Sequence, residues 1–257
     1  MSYGLGIKVD EGLVFAADSR MTAGLDEVST SRKVHMFERA GERFLLLMTA
    51  GNLALSQAVI HRVRAELAPA KRIAKAPERS LLKAETLYGC AEIVGQILRE
   101  IERTEAPALA RHNVLFDVSL ILGGQIKGEP PGLFLIYPPG NFIEAGQDVP
   151  FAQIGERKYG KPILDSMLTP RTSLSASAKC ALLSFDATIR GNAAVGLPID
   201  LIVYPKNSLT AAAARKIEAD DPYFRTLCNR WTDAQKHAFN ALPDPEWVNY
   251  RLKSTQK

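Results

Sequence analysis

Ser2 is the residue of this sequence with the clearest chemical potential, because it directly follows Met1. A small second residue permits removal of the methionine, which would leave a serine with both a hydroxyl and a free α-amino group. A serine hydroxyl is a weak nucleophile at neutral pH and needs a base beside it. An α-amino group, with a reference pKa of about 7.7–8.0, can take the hydroxyl proton directly or through one water. Ser2 alone would therefore supply nucleophile and base.

Two charged residues and one glycine could complete such a site. Asp18 ends the second predicted strand and Lys33 begins the third, so both are expected beside the first strand. A nearby ammonium would lower the pKa of the hydroxyl and of the amine, and a carboxylate would hold that ammonium in place. Gly51, between a buried strand and a helix, offers a backbone N–H to an oxyanion. The alternative is that Ser2 has no role and that Asp18 and Lys33 form a surface ion pair.

Other patterns of catalysis or binding are incomplete in the sequence. Residues 155–162 match G-x-x-x-x-G-K, but Pro162 stands where a phosphate-binding loop needs a hydroxyl. The sequence contains no nucleophile elbow, no zinc-protease motif and no closely spaced cysteine pair, and its four histidines are scattered. We therefore expect neither a metal nor an organic cofactor.

The composition is that of a packed globular protein. Of the 257 residues, 46% are hydrophobic and 23% are charged, and the net charge is +4. This weak basic excess forms no long run of like charge, so nucleic-acid binding is not expected. No apolar run long enough to span a membrane and no leader-like pattern occurs, so we expect a soluble, cytoplasmic protein.

The hydrophobic pattern predicts blocks of strands that alternate with pairs of helices. We predict strands at 3–9, 13–17, 33–37, 44–50, 115–126, 132–138, 141–146, 151–155 and 199–205. We predict helices at 55–67, from an N-cap at Ser80 to a stop before Pro107, between 156 and 173, at 174–189, and in 211–221 and 223–242.

This order of elements excludes strict alternation of single strands and helices, so a doubly wound parallel sheet is not expected. The economical arrangement is an α+β, four-layer αββα sandwich, with two stacked antiparallel sheets flanked by helix pairs. We assign residues 1–205 to this core. Residues 206–257 are expected to form a C-terminal helical extension that packs on the core or serves assembly contacts.

Several segments resemble proteasome-type β-subunits, which are N-terminal-nucleophile hydrolases. They are GLVFAADSR, SRKVHMF, FLLLMTAGNLALSQAV, DVSLILGGQ, LFLIYPPGNF, QIGERKYGKPILD and VGLPIDLIVY. Within that family the sequence is most similar to the bacterial Anbu (ancestral β-subunit) group, in the segments IGERKYGKPILD, VGLPIDL, DDPYF and LPDPEW. The resemblance covers most of residues 2–205 and implies the proteasome-like fold.

The resemblance also implies a role for each matching position. Ser2 falls on the family's N-terminal nucleophile, usually a threonine. Asp18 and Lys33 fall on its acid–lysine pair, and Gly51 falls on the glycine that donates to the oxyanion. The resemblance implies a specificity pocket of mixed polarity and medium size, which would not require a charged substrate side chain. Its residues are Met21, Ser31, Thr49 and Leu53.

Positions around the implied nucleophile depart from the proteasome pattern. Gly155-Glu156-Arg157 stands where many β-subunits have Gly-Ser-Gly. Asn192 and Val195 stand at the positions of a later aspartate and serine. These differences bear on whether the chain has ordinary proteasome peptidase activity.

We therefore expect a hydrolase that cleaves peptide or amide bonds with Ser2, in a ring-like or helical homo-oligomer whose sites face an inner space. The expected substrate is a peptide or protein, and no ATPase or operon-encoded partner can be identified. Two alternatives stay open. One is a catalytically weak scaffold that binds peptides or partner proteins, and the other is a small-amide hydrolase on the same fold.

Overall fold

The computed structural model describes residues 2–23, 27–67 and 79–247. The strands in these ranges are β1 Tyr3–Val9, β2 Gly12–Asp18, β3 Arg20–Ala23, β4 Glu27–Thr30, β5 Val34–Arg39, β6 Arg43–Gly51, β7 Val118–Ile126, β8 Gly132–Ile136, β9 Phe142–Glu144, β10 Phe151–Gly155, β11 Ile199–Pro205 and β12 Ala213–Ile217. The helices are α1 Leu53–Leu67, α2 Leu87–Arg111, α3 Lys161–Met167, α4 Leu174–Gly191 and α5 Pro222–Asn240.

The strands form two five-stranded antiparallel sheets and one short hairpin. The first sheet has the order β10-β1-β2-β11-β12, the second has the order β5-β6-β7-β8-β9, and β3 pairs with β4. Gly6 in β1 lets the two sheets approach closely, because a Cβ there would lie 2.6 Å from Leu133 Cδ1 of the second sheet. Gly6 therefore marks a close approach between the sheets, as glycine within a strand often does, whereas Gly4 abuts Ile154 of β10 in its own sheet.

Strand β6 shows why the sheets stack. Successive side chains of a strand point to opposite faces, and in β6 both faces are apolar and fully buried. Phe44, Leu46 and Met48 pack in the cluster between the two sheets. Leu45 and Leu47 pack in the cluster shared with α1 and α2. The predicted doubly buried strand is confirmed.

Helices cover the outer face of each sheet. The apolar stripe of α2, including Val94 and Leu98, packs with α1 on the second sheet. On the first sheet, α4 places Phe185 against Tyr3, with 4.5 Å between ring centroids, and Ser184 Oγ lies 2.7 Å from the Tyr3 hydroxyl. The predicted α+β, four-layer αββα sandwich is confirmed.

Two predicted boundaries of α2 were wrong. Its N-cap is Thr86, whose hydroxyl accepts the N–H of Gly89 at 2.9 Å, whereas Ser80 lies in the preceding turn. The helix also continues through Pro107 to Arg111. A proline removes one helical hydrogen bond, but Leu109 beyond it packs against the core and holds the last turns in place.

The segment at 211–221 was predicted as a helix and is wrong, because it contains β12 instead. Its alanines favour a helix in isolation, yet the strand pairs with β11 from Val203↔Ala213 to Ile199↔Ile217. Backbone pairing at the sheet edge outweighs the local preference. The β3–β4 hairpin has no counterpart among the predicted strands.

The chain divides into two compact units, 1–219 and 220–257. All strands in the described ranges belong to the first unit, so the first sheet extends past residue 205 through β12. Within the second unit, Asp221 caps α5 by accepting the N–H of Phe224 at 2.8 Å. The assembly role assigned to 206–257 stays a prediction. None of the helices in the described ranges has the length and apolar character needed to cross a bilayer.

Candidate active site

A buried ion pair joins the end of β2 to the residue that precedes β5. Lys33 Nζ lies 2.8 Å from Asp18 Oδ1, and the side chains are 7% and 0% exposed. Lys33 Nζ also donates to the carbonyl of Arg20 at 2.6 Å. Sequence reasoning left open a surface ion pair, and that alternative is wrong. An ammonium has three donors, so within the described residues one N–H of Lys33 remains for a further acceptor.

Burial shifts the titration of both partners. Removal from water lowers the pKa of Lys33, and the Asp18 carboxylate opposes that shift. Removal from water also raises the pKa of Asp18, and the Lys33 ammonium opposes this. Each charge is thus held in place mainly by its partner, and loss of either would leave the other buried and unpaired.

Ser2 sits directly against this pair through its backbone. The same Asp18 Oδ1 accepts the N–H of Tyr3 at 3.0 Å, and the carbonyl of Ser2 accepts the N–H of Glu156 at 2.7 Å. The peptide unit that follows Ser2 is therefore held on both sides, by β2 and by the end of β10. The structure thus brings Ser2, Asp18 and Lys33 into one neighbourhood.

Gly51 lies with Ser2 in one cavity of about 600 Å³, which Gly155 also lines. Gly51 has φ +105°, and a Cβ there would overlap the carbonyl oxygen of Asp117. A side chain is excluded both by the backbone conformation and by the lack of space. The residue predicted to supply an oxyanion donor therefore lines the same cavity as the predicted nucleophile.

The residues that depart from the proteasome pattern contact one another beside Ser2. Asn192 Nδ2 donates to Glu156 Oε2 at 2.8 Å, and the N–H of Lys158 donates to Glu156 Oε1 at 2.9 Å. These hydrogen bonds from Lys158 and Asn192 lower the pKa of the Glu156 carboxyl. Sequence reasoning identified Glu156 and Asn192 as separate departures and missed that they pair across 36 positions.

Three of the four residues of the implied specificity pocket line one cavity of about 370 Å³: Ser31, Thr49 and Leu53. The side chain of Met21 lies outside the described residues. The N–H of Thr49 donates to the carbonyl of Lys33 at 3.1 Å, which ties this cavity to the ion pair.

Sequence reasoning missed the basic residues of the same cavity, Arg32, His35, His61 and Arg64. A signal was present, because residues 53, 57, 60 and 64 follow helical spacing and share one face of α1. Within the described ranges, no group of three or more His, Cys, Asp or Glu side chains is placed to hold a metal ion.

Comparison with known proteins identifies the family. No protein-family model matches the chain. It is 27% identical over 204 residues to proteasome subunit beta 2 of Pyrobaculum calidifontis, which covers 79% of this chain and 88% of that protein. It superposes on Anbu (ancestral beta-subunit) from Yersinia bercovieri with a TM-score of 0.86 and 39% identity, over 95% of this chain and 99% of that one. The chain belongs to the Anbu family.

A second Anbu structure agrees with this assignment. The helical assembly of the Anbu complex from Pseudomonas aeruginosa matches with a TM-score of 0.87 and 42% identity, over 96% of this chain and all of that one. The resemblance drawn from sequence segments is therefore confirmed, both for the proteasome-type family and for its Anbu group. The match extends well beyond the 2–205 range over which sequence segments carried the resemblance.

Proposed function

We propose that this Anbu chain is an N-terminal-nucleophile hydrolase that cleaves peptide or amide bonds with Ser2 after removal of Met1. The observation that carries the proposal is the 2.8 Å Lys33–Asp18 pair, whose carboxylate also binds the amide that follows Ser2. A buried ion pair is costly to desolvate and is a weak source of stability. Ionisable groups whose pKa values are shifted by burial, beside a cavity, are candidates for a functional site.

The proposed mechanism uses only groups of the chain and one water. The α-amino group of Ser2 takes the hydroxyl proton, directly or through a water, as Oγ attacks the substrate carbonyl. Lys33, held by Asp18, lowers the pKa of the hydroxyl through its positive charge. The N–H of Gly51 stabilises the oxyanion. The α-ammonium then protonates the leaving amine, and water hydrolyses the acyl-enzyme.

We also propose that the chain works as a ring-like or helical homo-oligomer in the cytoplasm, with peptides or proteins as substrates. The helical assembly of Anbu from Pseudomonas aeruginosa, at 42% identity, supports an assembly of this kind. Enclosure of the sites would keep an unselective nucleophile away from folded proteins.

A catalytically weak scaffold is the second candidate. It is favoured by the Glu156–Asn192 contact, because a carboxylate and an amide stand here in place of the small and acidic residues of many proteasome β-subunits. A small-amide hydrolase would use the same residues as the first proposal and would differ only in substrate size.

Intact-mass spectrometry with and without phenylmethylsulfonyl fluoride tests the proposal. We expect a chain that lacks Met1 and that gains one adduct, which Ser2→Ala abolishes. Ser31→Ala is the matched control, because Ser31 lines the neighbouring cavity, and it should keep the adduct. A chain that retains Met1 and gains no adduct would exclude the hydrolase and favour the scaffold.

A further inference from the structure

The cavity lined by Ser31, Arg32, His35, Thr49, Leu53 and Arg64 is the feature that the proposed mechanism does not use. We propose that this basic cavity accepts the carboxylate side chain of a substrate residue, so that the enzyme cleaves after glutamate or aspartate. This inference rests on the proposed function, because it assigns the basic cavity to the residue on the carbonyl side of the cleaved bond.

The basic cavity adjoins the groups proposed for catalysis. Thr49 and Leu53, which line it, each lie two positions from Gly51, which lines the Ser2 cavity. Ser31 and Arg32 immediately precede Lys33. Two residues of extended chain span about 7 Å. A substrate residue whose carbonyl is held at Gly51 can thus reach the basic cavity with its side chain.

Among the described residues, the lining of this cavity carries positive charge and no acid. It includes Arg32 and Arg64, and none of the described residues that line it is an aspartate or a glutamate. Within the described residues neither arginine has a carboxylate partner, whereas Arg43 and Arg79 pair with glutamates at 2.8 Å. Two guanidinium groups in a concave site present planar donors that suit a carboxylate.

His35 supports this view of the cavity. Its Nδ1 lies 3.4 Å from Arg64 Nη2. Burial, Arg64 and Arg32 lower the pKa of the imidazole to about 4. The ring is therefore neutral at neutral pH, and its Nδ1 can accept a hydrogen bond from Arg64. The lowered pKa of His35 thus reflects, besides burial, the positive potential of the two arginines, to which the neutral ring adds no charge. An incoming carboxylate would raise this pKa.

The size and remaining walls also fit an acidic side chain. A volume of about 370 Å³ accommodates a glutamate side chain together with several waters, each of which takes about 30 Å³. Leu53 and Ile60 provide apolar walls for the methylene groups, and the hydroxyls of Ser31 and Thr49 can donate to the carboxylate. The three residues implied by sequence that line this cavity, Ser31, Thr49 and Leu53, form only its neutral part.

A pair of fluorogenic peptides that differ only in glutamate or glutamine before the cleaved bond tests the inference. We expect kcat/KM to be at least about tenfold higher for the glutamate peptide, the scale of one good charge-assisted contact. Arg64→Ala should remove most of this preference, mainly by lowering kcat/KM for the glutamate peptide. Arg62→Ala, on the same helix but outside the cavity lining, should keep the preference despite the same loss of charge.

Failure of the inference and failure of the proposed function give different results. If phenylmethylsulfonyl fluoride labels Ser2 but glutamine or leucine peptides are cleaved as fast as the glutamate peptide, the acidic preference is overturned and the hydrolase stands. If the reagent does not sulfonylate Ser2 and no peptide is cleaved, the hydrolase fails.

Product binding gives a readout that does not need turnover. By isothermal titration calorimetry, an acetylated peptide that ends in glutamate should bind about tenfold more tightly than its glutamine counterpart. Arg64→Ala should abolish the difference and Arg62→Ala should keep it. Equal affinities of the two peptides for the unmutated protein would overturn the inference even in an inactive chain.

Discussion

Replacement of Gly155 with alanine is expected to destabilise the protein and to slow acylation of Ser2. Gly155 has φ +76°, and an added Cβ would overlap the carbonyl oxygen of Ser2 and lie 2.7 Å from its carbonyl carbon. Both of these neighbours are backbone atoms, which cannot rotate away as a side chain could. The substitution must therefore move either Ser2 or the end of β10.

The expected loss of stability has three parts. The left-handed backbone conformation costs alanine about 1 kcal/mol. Separation of the two strands breaks the hydrogen bond from the N–H of Glu156 to Ser2, 2.7 Å long, which is worth about 1 kcal/mol. Overpacking adds about 1–3 kcal/mol. The free energy of unfolding should fall by about 3–5 kcal/mol.

Gly128→Ala is the matched control for this experiment. Gly128 has φ +90°, but a Cβ there would meet no atom within 4 Å, so only the conformational cost of about 1 kcal/mol applies. Urea denaturation at fixed protomer concentration measures both variants, and the rate of adduct formation at Ser2 measures the position of the nucleophile. If Gly155→Ala lies within about 1 kcal/mol of Gly128→Ala and reacts normally, the backbone of Ser2 is not fixed by β10.

Three further results are expected. Asp18→Ala should lower the free energy of unfolding by about 3–5 kcal/mol, because it leaves the buried Lys33 ammonium unpaired. Thermal denaturation should show a smaller loss of stability for the double variant Asp18→Leu with Lys33→Met, although Ser2 should still not be acylated. Burial and two arginines lower the pKa of His35 to about 4, so between about pH 6.5 and pH 4 the unfolded chain binds a proton at this residue that the folded chain does not. The free energy of unfolding should therefore fall by about 1–2 kcal/mol over this range, a figure discounted for partial exposure. His35→Gln should flatten this part of the pH profile measured by urea denaturation. In an NMR titration, Arg64→Ala should raise the pKa of His35, and an unchanged value would contradict the proximity of the two charges.

The parts of the fold that local pattern determines could be predicted from the sequence. The apolar run from Phe44 to Met48 can be buried only between two layers, and the structure places it there. The β12 segment could not be predicted, because its alanines favour a helix and only pairing with β11 makes it a strand. The C-terminal end of α2 could not be predicted for a similar reason. Pro107 indicates a helix end, but the packing of Leu109 against the core stabilises the turns beyond it.

Some features of the candidate site could likewise be predicted from the sequence, and others could not. The sequence pattern places Asp18 at the end of β2 and Lys33 just before β5, and these two residues do meet, although β2 and β5 belong to different sheets. The basic cavity could be predicted only in part. Helical spacing indicates that Arg64 shares a face of α1 with Leu53, but only the tertiary fold brings Arg32 into the same cavity. The link between Glu156 and Asn192 likewise depends on where the C-terminus of α4 ends relative to β10.

The anchoring of Tyr3 has a practical consequence for anyone who produces this protein. Its ring is fully buried, and its hydroxyl bonds to Ser184 and Gln153 at 2.7 and 2.8 Å, so the chain cannot slide at this point. An affinity tag fused ahead of Ser2 would begin at the wall of the 600 Å³ cavity. It would block the cavity and convert the α-amino group of Ser2 into an amide. Under the proposed mechanism, preparations tagged at that end would be inactive because of the tag, and a cleavable tag at the opposite terminus avoids this artefact.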